Sequence, residues 1–151
     1  MTKITHQVQI NVPKNKVWEI IADFGNVSKW APIVTQSSAI GSSKQGVGAE
    51  RSCEVVQMGS ITEKVLEWDE GNSIRFEIKG LPSVNSFINK FSLKGEADQT
   101  EVTFDGEVDI AGTEAERKGF EEQLQGMVQM TLQGLKQYAE TGQKMSPPPM
   151  P

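Results

Sequence analysis

TEAERKGFEEQLQGMVQMTLQGLKQYAETG, residues 113–142, is the stretch whose reading decides the fold. Thr113 followed by Glu116 has the spacing of a capping box, in which two side chains close the free N–H groups at a helix start. Gly142 suits the left-handed residue that ends a helix. Between them Phe120, Leu124, Met127, Val128, Thr131, Leu135, Tyr138 and Ala139 recur at helical spacing. At about 100° per residue they fall within an arc of roughly 120°, with Glu122, Gln125, Gln129, Gln133 and Lys136 opposite. At 1.5 Å per residue such a helix runs about 42 Å, enough to cross a small domain. Its stripe needs a broad partner surface, and the preceding chain reads as one large antiparallel sheet.

Immediately before the helix, Val102, Phe104, Val108 and Ile110 alternate with Glu101, Thr103, Asp105, Glu107 and Asp109, a strand with one apolar and one charged face. Working back, strands are expected at Ser86–Leu93, Ile74–Ile78, Ile61–Trp68, Ala49–Gln57 and Thr35–Ile40. Glycine-containing turns separate them, among them Met58-Gly59 and Asp69-Glu70-Gly71-Asn72. Ile4, His6, Val8, Ile10 and Val12 alternate with polar residues in a first strand that Pro13 stops. Val17, Trp18, Ile20, Ile21 and Phe24 then have helical spacing, and a second short helix is expected around Val27 to Trp30, before Pro32.

A chain of 151 residues suits one domain with a single core, expected over 1–142, and 143–151 is expected to be a disordered, proline-rich tail. Net charge −5, with the signs interspersed, argues against a nucleic-acid partner. No apolar run is long enough to span a membrane, and Met1 to His6 shows no apolar signal core. The single cysteine, Cys53, excludes an intramolecular disulfide and fits a reducing, cytoplasmic setting. One histidine and one cysteine leave no zinc-type site, and no phosphate-binding glycine loop is present, so no metal or other cofactor is expected. Oligomeric state is left open.

The element order, with Val12-Pro13, Val17-Trp18, Ile21-Ala22-Asp23-Phe24, Trp30-Ala31-Pro32, Gly48, Arg51, Glu67-Trp68-Asp69 and the closing helix, resembles the START-like, Bet v 1-like (SRPBCC) superfamily. The likeness is to its polyketide cyclase/dehydrase and lipid transport branch, over roughly residues 3 to 142. It implies an α+β helix-grip: a seven-stranded curved antiparallel sheet around the long helix, a cavity between them, and two short helices closing one end. The superfamily includes ligand carriers, hormone receptors, cyclases and chaperone-binding modules, so the fold leaves the function open.

On the strand alternation, Phe76, Ile78, Phe87, Asn89, Phe91 and Phe104 face inward, as expected for a pocket that takes an apolar molecule with a few polar anchors. Met127 and Thr131 approach from the helix. Arg51 and Glu63 lie on neighbouring strands of the Met58-Gly59 hairpin and also face inward. They form a ligand anchor or a structural salt bridge, unless a one-residue slip carries both to solvent. A glutamate at the Glu63 position resembles a ligand contact of plant hormone receptors in the superfamily, whereas their lysine after the second short helix has no counterpart in Trp30-Ala31-Pro32-Ile33. Gly80-Leu81-Pro82-Ser83 reads as a lid or an ordinary turn. His6 is an acid–base candidate beside Arg51 and Glu63, or a packing residue near the strand end. Cys53 reads as a buried apolar residue, and Gly134 as a point where a ligand or the lid approaches the helix backbone.

The leading expectation is a binding or transport protein for a hydrophobic small molecule, a lipid, polyketide or aromatic. It requires a cavity of about 300 Å³. A polyketide cyclase or dehydratase using Arg51, Glu63, His6 and Asn89 is the alternative enzyme reading. A chaperone-activator-type module, marked by exposed Trp30 and Leu81, is a third.

Overall fold

A computed structural model describes residues 1–146. Strand β1 (Thr2–Ile10) leads into helix α1 (Lys14–Ala22) and a 3₁₀ helix (Phe24–Lys29). Strands β2 (Val34–Ile40), β3 (Glu50–Val55), β4 (Gly59–Asp69), β5 (Ser73–Lys79), β6 (Val84–Glu96) and β7 (Gln99–Ile110) come next, and helix α2 (Glu114–Thr141) closes the fold. The seven strands form one antiparallel sheet in the order β1-β7-β6-β5-β4-β3-β2. This is the expected α+β helix-grip.

Register shifts interrupt β2–β3 at Val34/Gln36, β4–β5 at Val65/Glu67 and β6–β7 at Val84/Ser86. An extra residue in one strand increases local bend and twist, so these bulges are suited to curving the sheet around α2. β7 realises its pattern: Val102, Phe104, Val108 and Ile110 are buried, while Asp105 and Glu107 are exposed. β3 is shorter than its apolar run, because Val56 to Met58 form the turn, with Gln57 in the left-handed region at φ 67°. The second short helix begins three residues earlier than its apolar spacing indicated, at Phe24. There Gly25 sits so close to Ala39 of β2 that a Cβ would lie 2.9 Å from its backbone nitrogen.

α2 starts on the expected capping box: the Thr113 hydroxyl accepts the Glu116 N–H at 3.2 Å, and Glu116 Oε1 accepts the Thr113 N–H at 3.1 Å. Gly142 closes it at φ 76°. Its buried side chains are Leu124, Val128, Leu132 and Leu135. Leu132 lies about 20° beyond the edge of the arc read from sequence, while Phe120, Thr131, Tyr138 and Ala139 are only partly covered. Gly134 corrects an expectation. What approaches it is neither a ligand nor Gly80–Ser83 but Pro32, whose Cδ would lie 2.2 Å from a Cβ at that position. The missing side chain lets Trp30-Ala31-Pro32 lie directly on α2.

Trp18 of α1 and Trp68 of β4 meet edge to face, with centroids 5.3 Å apart. Their indole N–H groups donate to the two oxygens of Glu70, at 2.9 and 2.8 Å. Two motifs far apart in sequence thus pin α1 onto the β4–β5 turn. Beyond α2, Lys144 Nζ donates to the Val34 carbonyl at 2.8 Å. The expectation of a disordered tail falls otherwise on 147–151, outside the described residues.

Candidate functional site

Arg51 and Glu63 are direct cross-strand partners on β3 and β4, so there is no register slip. Their side chains are buried, with Arg51 Nε 2.6 Å from Glu63 Oε1. Arg51 Nη1 also donates to the Phe24 carbonyl at 2.8 Å, which ties the 3₁₀ helix to the sheet. The guanidinium carbon lies 3.8 Å from the Phe24 ring centroid and 5.2 Å from that of Phe76. A cation so enclosed is stabilised by the ring faces as well as by the carboxylate. Cys53 Sγ is 3.6 Å from Glu63 Oε1, and burial together with the Glu63 charge pushes the thiol up to about 12. It is a neutral donor, not a nucleophile.

An aromatic strip runs across the inner sheet face from this pair. Phe24 meets Phe76 edge-on at 5.8 Å, Phe76 stacks on Phe91 at 5.9 Å, and Phe91 meets Phe104 edge-on at 5.3 Å. Trp30 contacts Phe91 from above at 6.4 Å. Between strip and helix lies a cavity of about 100 Å³. Arg51, Glu63, Phe76, Ile78, Phe87, Asn89, Phe91 and Phe104 line it from the sheet, Leu81 from its loop, and Met127 and Thr131 from α2. These eleven residues therefore border the same space.

Its volume is a correction. About 100 Å³ is a third of the roughly 300 Å³ expected at minimum, because the ring strip and the Arg51 side chain occupy the space that small side chains would leave open. His6 is not brought to Arg51 and Glu63. It borders no part of the cavity and hydrogen-bonds through Nε2 to Gln125 Oε1 of α2 at 2.5 Å, a partner contributed from across the fold. Trp30 is 3% exposed and Leu81 is half-buried, so they do not form the exposed pair that a chaperone-activator-type module would show.

Sequence reasoning missed the contribution of the 3₁₀ helix and of the segment that joins it to β2. From these, Val27, Trp30, Ala31 and Ile33, with Val34 at the start of β2, form much of the remaining wall. The available signal was Gly134, a weak helix former in a buried stripe, which marks where another backbone segment closes on the helix. At the opposite side Gly80 is at φ 105° and Ser83 at φ 60°, and the Ser83 carbonyl accepts the Ala111 N–H at 2.8 Å. That bond ties the end of the Leu81 loop to the chain just beyond β7.

A family model described as polyketide cyclase / dehydrase and lipid transport matches residues 1–140, and the chain belongs to that family. No curated protein matches it in a sequence comparison. Among solved structures it is similar to the Zhui aromatase/cyclase of a Streptomyces species, at 15% identity and TM-score 0.79 over 92% of this chain and 93% of that one. It is likewise similar to the XoxI protein of Bacillus cereus, at 18% identity and TM-score 0.77 over 93% of this chain and 97% of that one. A Thermus thermophilus protein matches at 18% identity and TM-score 0.78, over 93% and 99%. At such identities the likeness is one of fold. Among the described residues no helix is long and apolar enough to cross a membrane.

Proposed function

We propose that the chain binds a small, largely apolar molecule in the cavity beneath α2, with Arg51 as its polar anchor. One observation carries this reading: a buried guanidinium borders a largely apolar cavity, braced from behind by Glu63 and the Phe24 carbonyl. A structural ion pair alone does not require a cavity beside it, and a filled apolar site would be at least as stable. Lipids and polyketides, the compounds that the family description names, share a hydrophobic body with oxygen functions, which fits such a wall. A volume of about 100 Å³ takes a single ring as the structure stands. Larger ligands need the Leu81 loop or the Trp30 segment to withdraw. The buried, unpaired Cys53 suits a reducing compartment such as the cytoplasm.

The test is native mass spectrometry of gently purified protein against its denatured mass. The expected result is one small adduct per chain, lost on denaturation. A bare mass, together with no saturable binding of single-ring aromatic or short acyl probes, overturns the reading.

A second reading is a cyclase or dehydratase acting in the same cavity. It is favoured by the family description and by the chemistry of a buried guanidinium, which stabilises a developing oxyanion. Turnover of polyketide-like substrates that persists unchanged in both Arg51→Met and Glu63→Gln eliminates it.

A further inference from the structure

Asn89 is 2% exposed on β6, an interior strand of the sheet, and its carboxamide oxygen Oδ1 has no hydrogen-bond partner among the described residues. It is the one buried side-chain polar atom so left among them, and the residue borders the cavity. An amide in such a place costs free energy that leucine, of nearly the same shape, would avoid. The register gives a second, independent observation. Directly opposite Asn89 on β7 stands Gly106, in the interior of a strand otherwise built of Thr, Val, Phe and Ile on this face. Its φ lies outside the left-handed region, so the backbone does not call for glycine there. A Cβ at Gly106 would lie 2.8 Å from Asn89 Oδ1, and 3.0 and 3.2 Å from the rings of Phe87 and Phe104. Glycine weakens a strand interior, yet here it alone leaves room for the carboxamide and the two rings. Two choices that each disfavour folding therefore meet at one point on the cavity wall.

We propose that Asn89 is the specificity determinant of the cavity: its carboxamide accepts a hydrogen bond from a hydroxyl on the ligand and so selects an alcohol or phenol over the matching hydrocarbon. This rests on the binding reading above and adds a second recognition point to it. Phe76 pairs with Asn89 in register and also lies beside Arg51, so one ring separates the two polar positions. A ligand lying on the Phe76–Phe91 stack has the guanidinium toward one end and the carboxamide toward the other. Arg51 offers only donors, so it suits a carbonyl or carboxylate oxygen, whereas the Asn89 oxygen, which lies covered beside Gly106 and meets a ligand once the carboxamide turns about its Cβ–Cγ bond, requires a donor. The two positions thus read different groups.

The experiment titrates phenol and benzene, which differ by one hydroxyl, into the full chain and tracks the spectrum by ¹⁵N NMR. Phenol is expected to bind about tenfold more tightly than benzene, as one buried hydrogen bond provides. The Asn89 side-chain NH₂ signals should shift with phenol and not with benzene. In Asn89→Leu the preference should vanish while benzene binding is retained or improved, and the variant should melt at or above the wild-type temperature. Should that variant fail to fold, the wild-type NH₂ signals decide by themselves, and their indifference to phenol overturns the assignment. Equal binding of the two probes overturns it as well, as when an internal water satisfies Asn89. A phenol preference that survives Asn89→Leu moves hydroxyl recognition to Arg51 and has the same consequence. Failure of both probes to bind either protein defeats the binding reading along with this one.

Discussion

Arg51 meets in one place the three requirements of a buried cation: a carboxylate on Glu63, a carbonyl at Phe24 and aromatic faces on Phe24 and Phe76. Removing one partner of such a pair leaves a charge without compensation, whereas removing both leaves an ordinary apolar wall. Arg51→Met should therefore lower stability by about 3–5 kcal/mol. Adding Glu63→Met to it should recover most of that loss, and urea unfolding of both variants closes the cycle. Independent, additive losses would show that the two side chains are not coupled as the 2.6 Å contact requires. Strand alternation made both residues legible as inward-facing. The Phe24 carbonyl and the rings were not legible, because no local pattern ties residue 24 to residue 51. Asn89 could be placed on the inner face in the same way, but its lack of a partner depends on which strands flank β6.

α2 shows how an element combines local and distant control. Its start and stop are set by Thr113, Glu116 and Gly142 alone, since capping is chemistry between near neighbours. Its glycines divide by surroundings that the helix pattern does not contain. A Cβ at Gly126 would meet nothing within 4 Å, so Gly126→Ala should stabilise by about 0.5–1 kcal/mol through helix propensity. At Gly134 a Cβ would lie 2.2 Å from Pro32 and 3.1 Å from the Trp30 carbonyl. There Gly134→Ala must displace the wall segment of the cavity, and overpacking of this kind outweighs the gain, for a net loss of about 1–2 kcal/mol. Denaturant unfolding of the two variants should therefore give changes of opposite sign. Stabilisation by both would mean that Trp30-Ala31-Pro32 yields freely.

Over the whole molecule, order is distributed unevenly across the sheet. β7 is paired on both sides, to β1 and β6, and its inward apolar residues are 0–6% exposed. β2 lies at an edge, and only Val34 of its seven residues is buried. Hydrogen exchange of the native protein should accordingly show the slowest amides in β6 and β7, near the global unfolding limit. Those of β2 should exchange through local opening, orders of magnitude faster. Uniform protection would contradict the edge position of β2. Because β2 comes directly after the Trp30 segment, this soft edge adjoins one of the two parts of the wall that must move to admit a larger ligand.

By itself the sequence determined the order of elements, the capped helix, the inward and outward faces of the strands, and hence which strand residues border the space under α2, but not the wall that the Trp30 segment adds. These rest on periodicity and capping, which act over a few residues. Only the tertiary structure decided that this space is about 100 Å³ rather than a broad pocket. Its size is the small difference between a large enclosed volume and the rings of Phe24, Phe76, Phe91, Phe104 and Trp30, set by rotamers and register. It also decided that His6 turns to Gln125 and away from Arg51, and that Gly106 faces Asn89 across the sheet. Such pairings join residues distant in the chain, and no local physical rule carries them.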